Sequence, residues 1–500
     1  MCGIAGALEG NSHQDVHQMV MQIQHRGPDG VGVVPTEAAT LGHTRLAIVD
    51  VNRGHQPLKL GEAWIAFNGE IYNHMTLRKM RLPGQDFRTH TDTETILGLY
   101  QRYGPRFVEL LNGMFALAIS WRGELFLARD PLGIKPLYYG YKNGGGLHFA
   151  SEVKALALVT DDIHEFPAGH WYHSRRGWHR YYRVEDTLHD ELPQVQTDHD
   201  ALQAIRSSLR SAVGKRMMSD VPVGVSLSGG LDSSIVSMIA SQDNPGLHSF
   251  VVGVAGGEDL DASRRMAEVL GTQHHEYIYT EREMLEVLPE VIYYLESFDP
   301  ALVRSAIPNY VLARMASDHV KVMLTGEGAD ELYAGYAYLQ RYEEAQDLQG
   351  ELVHITEALH NTNLQRGDRM SMAHGLEARV PFLDVESVSL ALSIPAEWKL
   401  QTDGRPAKDL LRRAYEGLLP DEIVYRPKMK FSKGAGSSDV LAERAEDDVS
   451  DADYRLEKER LREEWDYPLP NKEALVYYRM LRDHYQDEWI MPNMGRSRSL

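Results

Sequence analysis

An α+β sandwich followed by an α/β domain built on a parallel sheet is the fold class this sequence predicts. Three observations predict it. The chain has 500 residues, too many for one ordinary core and enough for two or three domains. Residues 1–180 read as short β segments between glycine-rich turns, broken by a few helical pieces. From Val221 the pattern becomes a repeated strand, loop and helix, the signature of parallel pairing.

In chain order, "EAWIAFNGEIYN", "GMFALAIS" and "GELFLARD" carry the alternation or apolar runs of strands, and Thr93 to Tyr103 reads as a helix. The polar, acidic stretch "RVEDTLHDELPQVQTDHD" contains a proline and marks a linker. It divides the chain into residues 2–185, a linker at 186–200 and a second domain at 201–500. Leu202, Ile205, Leu209 and Val213 then recur at helical spacing. "VPVGVSL", "LHSFVVGV" and "VKVMLTG" are strand candidates, each followed by a helical pattern. Residues 439–465 are highly charged, and both a helix and a mobile segment fit them.

Composition narrows the function classes. The chain is 43% hydrophobic and 25% charged, as soluble globular proteins are. No apolar run reaches bilayer length, and MCGIAG lacks the basic region of a signal peptide, so no membrane association is expected. A net charge of −20 argues against broad nucleic-acid binding. One cysteine excludes an internal disulfide framework and makes a reducing cytoplasm the expected location.

That cysteine stands at position 2. Removal of Met1 would leave Cys2 with a thiol and a free α-amine on one residue. An α-amine has a reference pKa of about 7.7–8.0, so it can serve as a base near neutrality. The plain alternative is a small buried hydrophobe at the start of a strand. Further on, "SLSGGLDSS" joins an apolar strand to a glycine turn and a helix start, where backbone N–H groups gather anions. Asp232 in that loop would repel phosphates unless a cation lay between, which suggests Mg²⁺. "LTGEGADELYAGY" adds Glu327, Asp330 and Glu331.

"CGIAG", "HRGPDG", "RLAIVD", "NGEIYN" and "TDTETI" follow one another in the order seen in the glutaminase domain of class II glutamine amidotransferases, and this region resembles that family. The resemblance implies an N-terminal-nucleophile αββα sandwich in which Cys2 attacks the glutamine amide and frees ammonia. It makes Asn68 and the Gly69 N–H the oxyanion hole and gives Arg45 the glutamine carboxylate. It places Leu46, Ala47, Ile48, Val49, Glu70 and Asp92 around the rest of glutamine.

The second region resembles enzymes that cleave ATP to AMP and pyrophosphate through a PP-loop on an adenine-nucleotide α-hydrolase-like sheet. That likeness implies that Ser228, Gly229, Gly230, Ser233 and Ser234 cradle the β,γ-phosphates. Leu227, Val252, Thr325 and Gly326 would contact ATP, with Arg304 and Lys428 on pyrophosphate. Asp232 and Asp330 would hold Mg²⁺, and Glu327 would act as base toward incoming ammonia. A chain this acidic must then gather cations locally around ATP.

As a whole the chain is similar to glutamine-hydrolysing asparagine synthetases, with "NLQRGDRMSMAHGLEARVPFLD" and "NKEALVYYR" in support. Glutamine, aspartate and ATP are the implied substrates, β-aspartyl-AMP the implied intermediate, and a homodimer the family-level expectation. An internal passage for ammonia is expected. "PALVRSA" departs from the family pattern: Ala301 and Leu302 replace hydroxyl residues, and Thr325 stands where serine is common. Ala301 keeps glutamine-dependent amidation of another carboxylate in view. A β-lactam-forming relative would lack a working glutaminase set, and a scaffold would lack Cys2, Asp232 or Glu327; the sequence keeps them all. The pair His274 and His275 has no acidic or cysteine partner at ligand spacing and reads as structural.

Overall fold

Two six-stranded antiparallel sheets face each other in the N-terminal half of the computed structural model, which describes residues 2–8, 12–142, 145–189, 195–401, 404–427 and 438–495. In the first sheet, Gly3–Leu8 lies between Leu147–Ala150 and Ala39–Arg45. In the second, Ala63–Ile71 pairs with Gly113–Trp121 over eight residue pairs, from Trp64 opposite Ser120 to Ile71 opposite Gly113. The strand alternation seen in the sequence sends Ile4, Leu41, Ala66, Ala116, Leu127 and Phe149 into the space between the sheets. Small alanines there let the sheets approach closely. The helix His13–Gln22 covers the first sheet through Val16, Met19 and Val20, and Asp92–Tyr103 covers the second through Ile96, Leu97 and Tyr100. The result is the αββα sandwich.

Helix Asp198–Arg216 opens the second half on a reciprocal cap: Thr197 Oγ1 accepts from the Asp200 N–H, and the Asp200 carboxylate accepts from the Thr197 N–H. Five parallel strands follow, in the spatial order Gln273–Ile278, His248–Gly253, Val223–Ser226, Val322–Leu324 and Glu377–Arg379. The order reverses between Val223–Ser226 and Val322–Leu324. At such a switch point the connections leave in opposite directions and open a crevice at the strands' carboxyl ends. The charged stretch at 439–465 is helical, as Ser438–Asp448 and Asp451–Trp465. Among the described residues no helix is long and apolar enough to cross a membrane.

Buried ions join the halves. Arg26 lies 2.7 Å from Glu152 and 2.8 Å from Asp368, and Glu296 holds Lys154 at 3.0 Å and Arg369 at 2.8 Å. Glu165 is 2.7 Å from both Arg129 and His360. Burial alone would raise the Glu165 pKa, but the charges of His360 and Arg129 outweigh it and hold the carboxyl at about 2. Partners likewise hold Asp368 and Glu152 below the usual range against their burial. A depressed carboxylate stabilises the fold fully above its unfolded value and loses that contribution as pH falls through its folded value. Acid titration followed by tryptophan fluorescence should therefore show loss of the interface between pH 4.5 and about 2. Glu165 alone accounts for on the order of 3 kcal/mol. A stability flat across that window would contradict the assignment.

Candidate active sites

The first site gathers where the start of the interior strand Gly3–Leu8 meets the second sheet and the strand Glu377–Arg379. Cys2 precedes the strand Gly3–Leu8 and is buried. Its backbone N–H donates to Asn68 Oδ1 at 3.2 Å, and Sγ lies 4.0 Å from the Leu46 carbonyl. The side-chain amide of Asn68 is thus fixed beside the cysteine, while its Nδ2 is buried with no hydrogen-bond partner among the described residues. Next to it Gly69 has φ +155°, and a Cβ there would stand 2.0 Å from the Met114 carbonyl oxygen. Only glycine fits. Burial pushes the Cys2 thiol up to about 11, with Glu377 and Glu70 adding to the rise.

Carboxylates crowd this site. Glu70 is buried, and burial followed by the charges of Asp92 and Glu377 holds its carboxyl well above the ordinary range. Asp92 accepts from the Ile71 N–H at 2.7 Å, yet burial lifts it to about 6. Arg379 answers only part of this charge, 2.6 Å from Glu377 and 3.6 Å from Glu70. Glu70 Oε2 remains buried without a hydrogen-bond partner among the described residues. A small ammonium ligand would relieve both the repulsion and the orphaned oxygen. Arg45 ends its strand with Nη1 donating to the Val51 carbonyl at 2.8 Å and Nη2 to the Asp50 carbonyl at 3.0 Å. Leu46, Ala47 and Ile48 are buried in the loop that follows and Val49 is half-buried, with Ala47 N–H donating to Asp29 Oδ2 at 2.8 Å.

The second site is a cleft of about 170 Å³ at the switch point of the parallel sheet. Ser228, Gly230, Asp232, Ser233, Thr325, Gly326, Glu327 and Asp330 line it. Gly229 turns the loop with φ +68° and presses so close to Ala262 that a Cβ would lie 2.5 Å from its carbonyl carbon. The Ser228 N–H and Oγ meet Ser233 Oγ at 3.3 and 3.1 Å, which locks the loop onto helix Leu231–Gln242. Ser234 Oγ is buried without a hydrogen-bond partner among the described residues.

Leu227 and Val252 are buried core residues beside this loop. Thr325 donates its N–H to the Arg379 carbonyl at 2.9 Å. Arg304 forms a two-pronged ion pair with buried Glu473, Nε to Oε1 at 2.8 Å and Nη2 to Oε2, and is not among the cleft's lining residues. Lys428 lies outside the described residues.

Several residues belong to these sites without having been singled out in the sequence. Lys408 Nζ sits 2.5 Å from Asp232 and 2.6 Å from Asp330, a cation already bridging the two carboxylates. Arg412 and Arg426 also line the cleft, so positive charge concentrates there in an acidic chain. Arg366 pairs with Glu327 and donates to Ser305 Oγ at 3.0 Å. A clustering of acids and bases far apart in sequence leaves no local spacing to read. His274 and His275 diverge: His274 meets Ser249 Oγ at 2.9 Å, whereas His275 meets His248 at 2.9 Å.

A cavity of about 30 Å³ adjoins the cleft. It shares Asn309, Thr325 and Glu327 with the cleft and extends to Lys135, Asp368 and Ala378, the last adjoining Glu377 of the first site. That volume admits a molecule or two the size of water.

Comparison with known proteins adds an independent finding. The family model for a glutamine amidotransferase domain matches residues 1–166, and the model for asparagine synthase matches residues 204–353 and 340–490. Asparagine synthetase B, glutamine-hydrolyzing, of Escherichia coli is 39% identical over 520 residues, covering 99% of this chain and 92% of its own. The probable asparagine synthetase of Schizosaccharomyces pombe is 37% identical over 526 residues, covering 97% and 93%. Asparagine synthetase 2 of Arabidopsis thaliana is 40% identical over 479 residues, covering 90% and 82%.

Proposed function

The chain belongs to the family of glutamine-hydrolysing asparagine synthetases, and from that premise we propose that its two sites together make asparagine from aspartate, glutamine and ATP. The observation that carries the reading is Cys2 held beside the unpartnered Asn68 donor in the same chain as a PP-loop cleft.

At the first site the Cys2 sulfur attacks the amide carbon of glutamine. The new oxyanion takes hydrogen bonds from Asn68 Nδ2 and the Gly69 N–H, groups held in place before the charge develops. Ammonia leaves, and water later cleaves the thioester to glutamate. A thiol at about 11 is almost wholly protonated at neutral pH, so a base must take its proton. The α-amine of a processed Cys2 is the adjacent candidate. Arg45 receives the α-carboxylate of glutamine, and Glu70 with Asp92 receives its ammonium. Leu46, Ala47, Ile48 and Val49 wall the substrate. Asn68→Ala should lower the glutaminase kcat by about 10²–10³-fold with a small change in KM. A loss confined to KM would remove Asn68 from the oxyanion hole.

At the second site a β-carboxylate oxygen of aspartate attacks the α-phosphorus of ATP, and pyrophosphate leaves. Ammonia then attacks the carbonyl carbon of β-aspartyl-AMP, releasing AMP. Ser228, Gly229, Gly230, Ser233 and Ser234 surround the departing phosphates in this reading, with Leu227, Val252, Thr325 and Gly326 against the nucleotide. Arg304 and Lys428 are carried as pyrophosphate partners on the resemblance alone. Glu327, which faces both cavities, takes the proton that ammonia sheds on attack. The carboxylates of Asp232 and Asp330 fit Mg²⁺: they are hard oxygen donors, a cationic Lys408 already lies between them, and buried Asp232 Oδ1 has no hydrogen-bond partner among the described residues. When bound, the ion would neutralise phosphate charge. Ala301 and Leu302 fall in the first turn of helix Pro300–Ser317 and are not among the residues that line the cleft.

The 30 Å³ cavity supports passage of ammonia between the sites. The division into residues 2–185, 186–200 and 201–500 is part of this reading, and the helix that opens at Asp198 starts three residues before its last boundary. A reducing, cytoplasmic setting is proposed because Cys2 must remain a free thiol. A homodimer is carried over from the family, and the mass in solution tests it. The test of the whole is synthesis from amide-¹⁵N glutamine, aspartate, ATP and Mg²⁺ followed by mass spectrometry. ¹⁵N-asparagine with equal AMP is expected. Glutamate without asparagine or AMP would overturn the acceptor.

A further inference from the structure

At the opposite end of the parallel sheet from the nucleotide cleft, three histidines from three chain segments come together. His248 begins the strand His248–Gly253, His275 lies in Gln273–Ile278, and His319 follows helix Pro300–Ser317. Parallel pairing places His275 opposite Phe250, so His248, Phe250 and His275 share one face of the sheet. His319 closes over them from the turn, its ring 4.1 Å from that of His275 and 5.8 Å from that of His248. One ring nitrogen from each of the three lies within 4.8 Å of the others, and His248 Nδ1 and His275 Nε2 are 2.9 Å apart.

We propose that His248, His275 and His319 bind one divalent transition-metal ion, and that the ion is Zn²⁺. Imidazole nitrogen is a preferred zinc donor, and three of them with one water complete a tetrahedron. At a Zn–N distance of about 2.0–2.1 Å, tetrahedral ligands stand about 3.3 Å apart. Two of the nitrogens are already closer than that, and His319, exposed on its turn, is the ligand with freedom to move in. The ion would tie two strands to the end of a helix that the chain joins only through long connections.

The test uses the full chain, stripped with a chelator and free of nucleotide. Zn²⁺ is titrated in competition with a chromophoric chelator, and Co²⁺ is added in parallel for its visible absorption. One equivalent should bind, Co²⁺ should give a four-coordinate spectrum without thiolate charge transfer, and the melting temperature should rise. His275→Gln and His319→Gln should each weaken binding by more than about tenfold. His274→Gln, on the same strand but the other face, should leave it unchanged. Less than one equivalent bound, or a thiolate signal that vanishes with Cys2→Ala, overturns the proposal. Because His319 is exposed, its substitution leaves the fold intact, and full affinity in that variant is sufficient to reject the site.

Discussion

Cys2→Ala abolishes glutamine-driven asparagine formation, by on the order of 10³-fold or more, and leaves ammonia-driven formation at its original rate. The first half follows from chemistry that no neighbour can replace. Cys2 is the only cysteine in the chain, so no other side chain can form the thioester. The second half follows from distance. Neither Cys2 nor any of its hydrogen-bond partners lines the nucleotide cleft or the small cavity beside it. Ammonium salts at a pH where some free ammonia exists should therefore sustain synthesis in the variant. The assay is asparagine produced with each nitrogen donor in turn. Equal loss with both donors would mean that the two chemistries share one site.

Glu327→Gln produces the converse phenotype. Synthesis should fall by about 10²–10⁴-fold with glutamine or ammonia as donor, while glutamate release from glutamine persists. Glutamine is nearly isosteric with glutamate, so the hydrogen bond to Arg366 can survive while the proton acceptor is lost. Glu327 stands on the border of both cavities, where arriving ammonia and an activated carboxylate would meet. Pyrophosphate release without asparagine would place the block after ATP cleavage. An unchanged synthesis rate would take Glu327 out of the mechanism.

The sequence made much of this architecture legible. Alternation in "EAWIAFNGEIYN" and "GMFALAIS" located two interior strands of the second sheet, because both faces are buried but differently: Ile65, Phe67, Phe115 and Leu117 under the helix, Ala66 and Ala116 between the sheets. The strand–glycine–helix run at Ser226 to Ser234 located the cleft, since its chemistry is contiguous in the chain. Residues drawn together by topology were not legible in that way. Lys408 lies 176 positions from Asp232, and no local pattern marks the pairing. His275 is read beside His274 in sequence, yet on a strand neighbours point to opposite faces, and its partners are 27 and 44 positions away. Arg304 is drawn by the family likeness to pyrophosphate, whereas its nearest charge here is Glu473.

The strand Glu377–Arg379 has a further consequence. Glu377 and Arg379 set the charge around Cys2 and Glu70, while the Arg379 carbonyl accepts from Thr325 at the lip of the nucleotide cleft. This strand thus touches groups of both reaction centres, through Glu377 and Arg379 on one side and the Arg379 carbonyl on the other. Linkage then imposes a symmetry on the enzyme's regulation. By whatever factor a bound nucleotide changes the affinity for glutamine, glutamine must change the affinity for nucleotide by the same factor. Two binding titrations, each in the presence and absence of the other ligand, measure one and the same coupling constant.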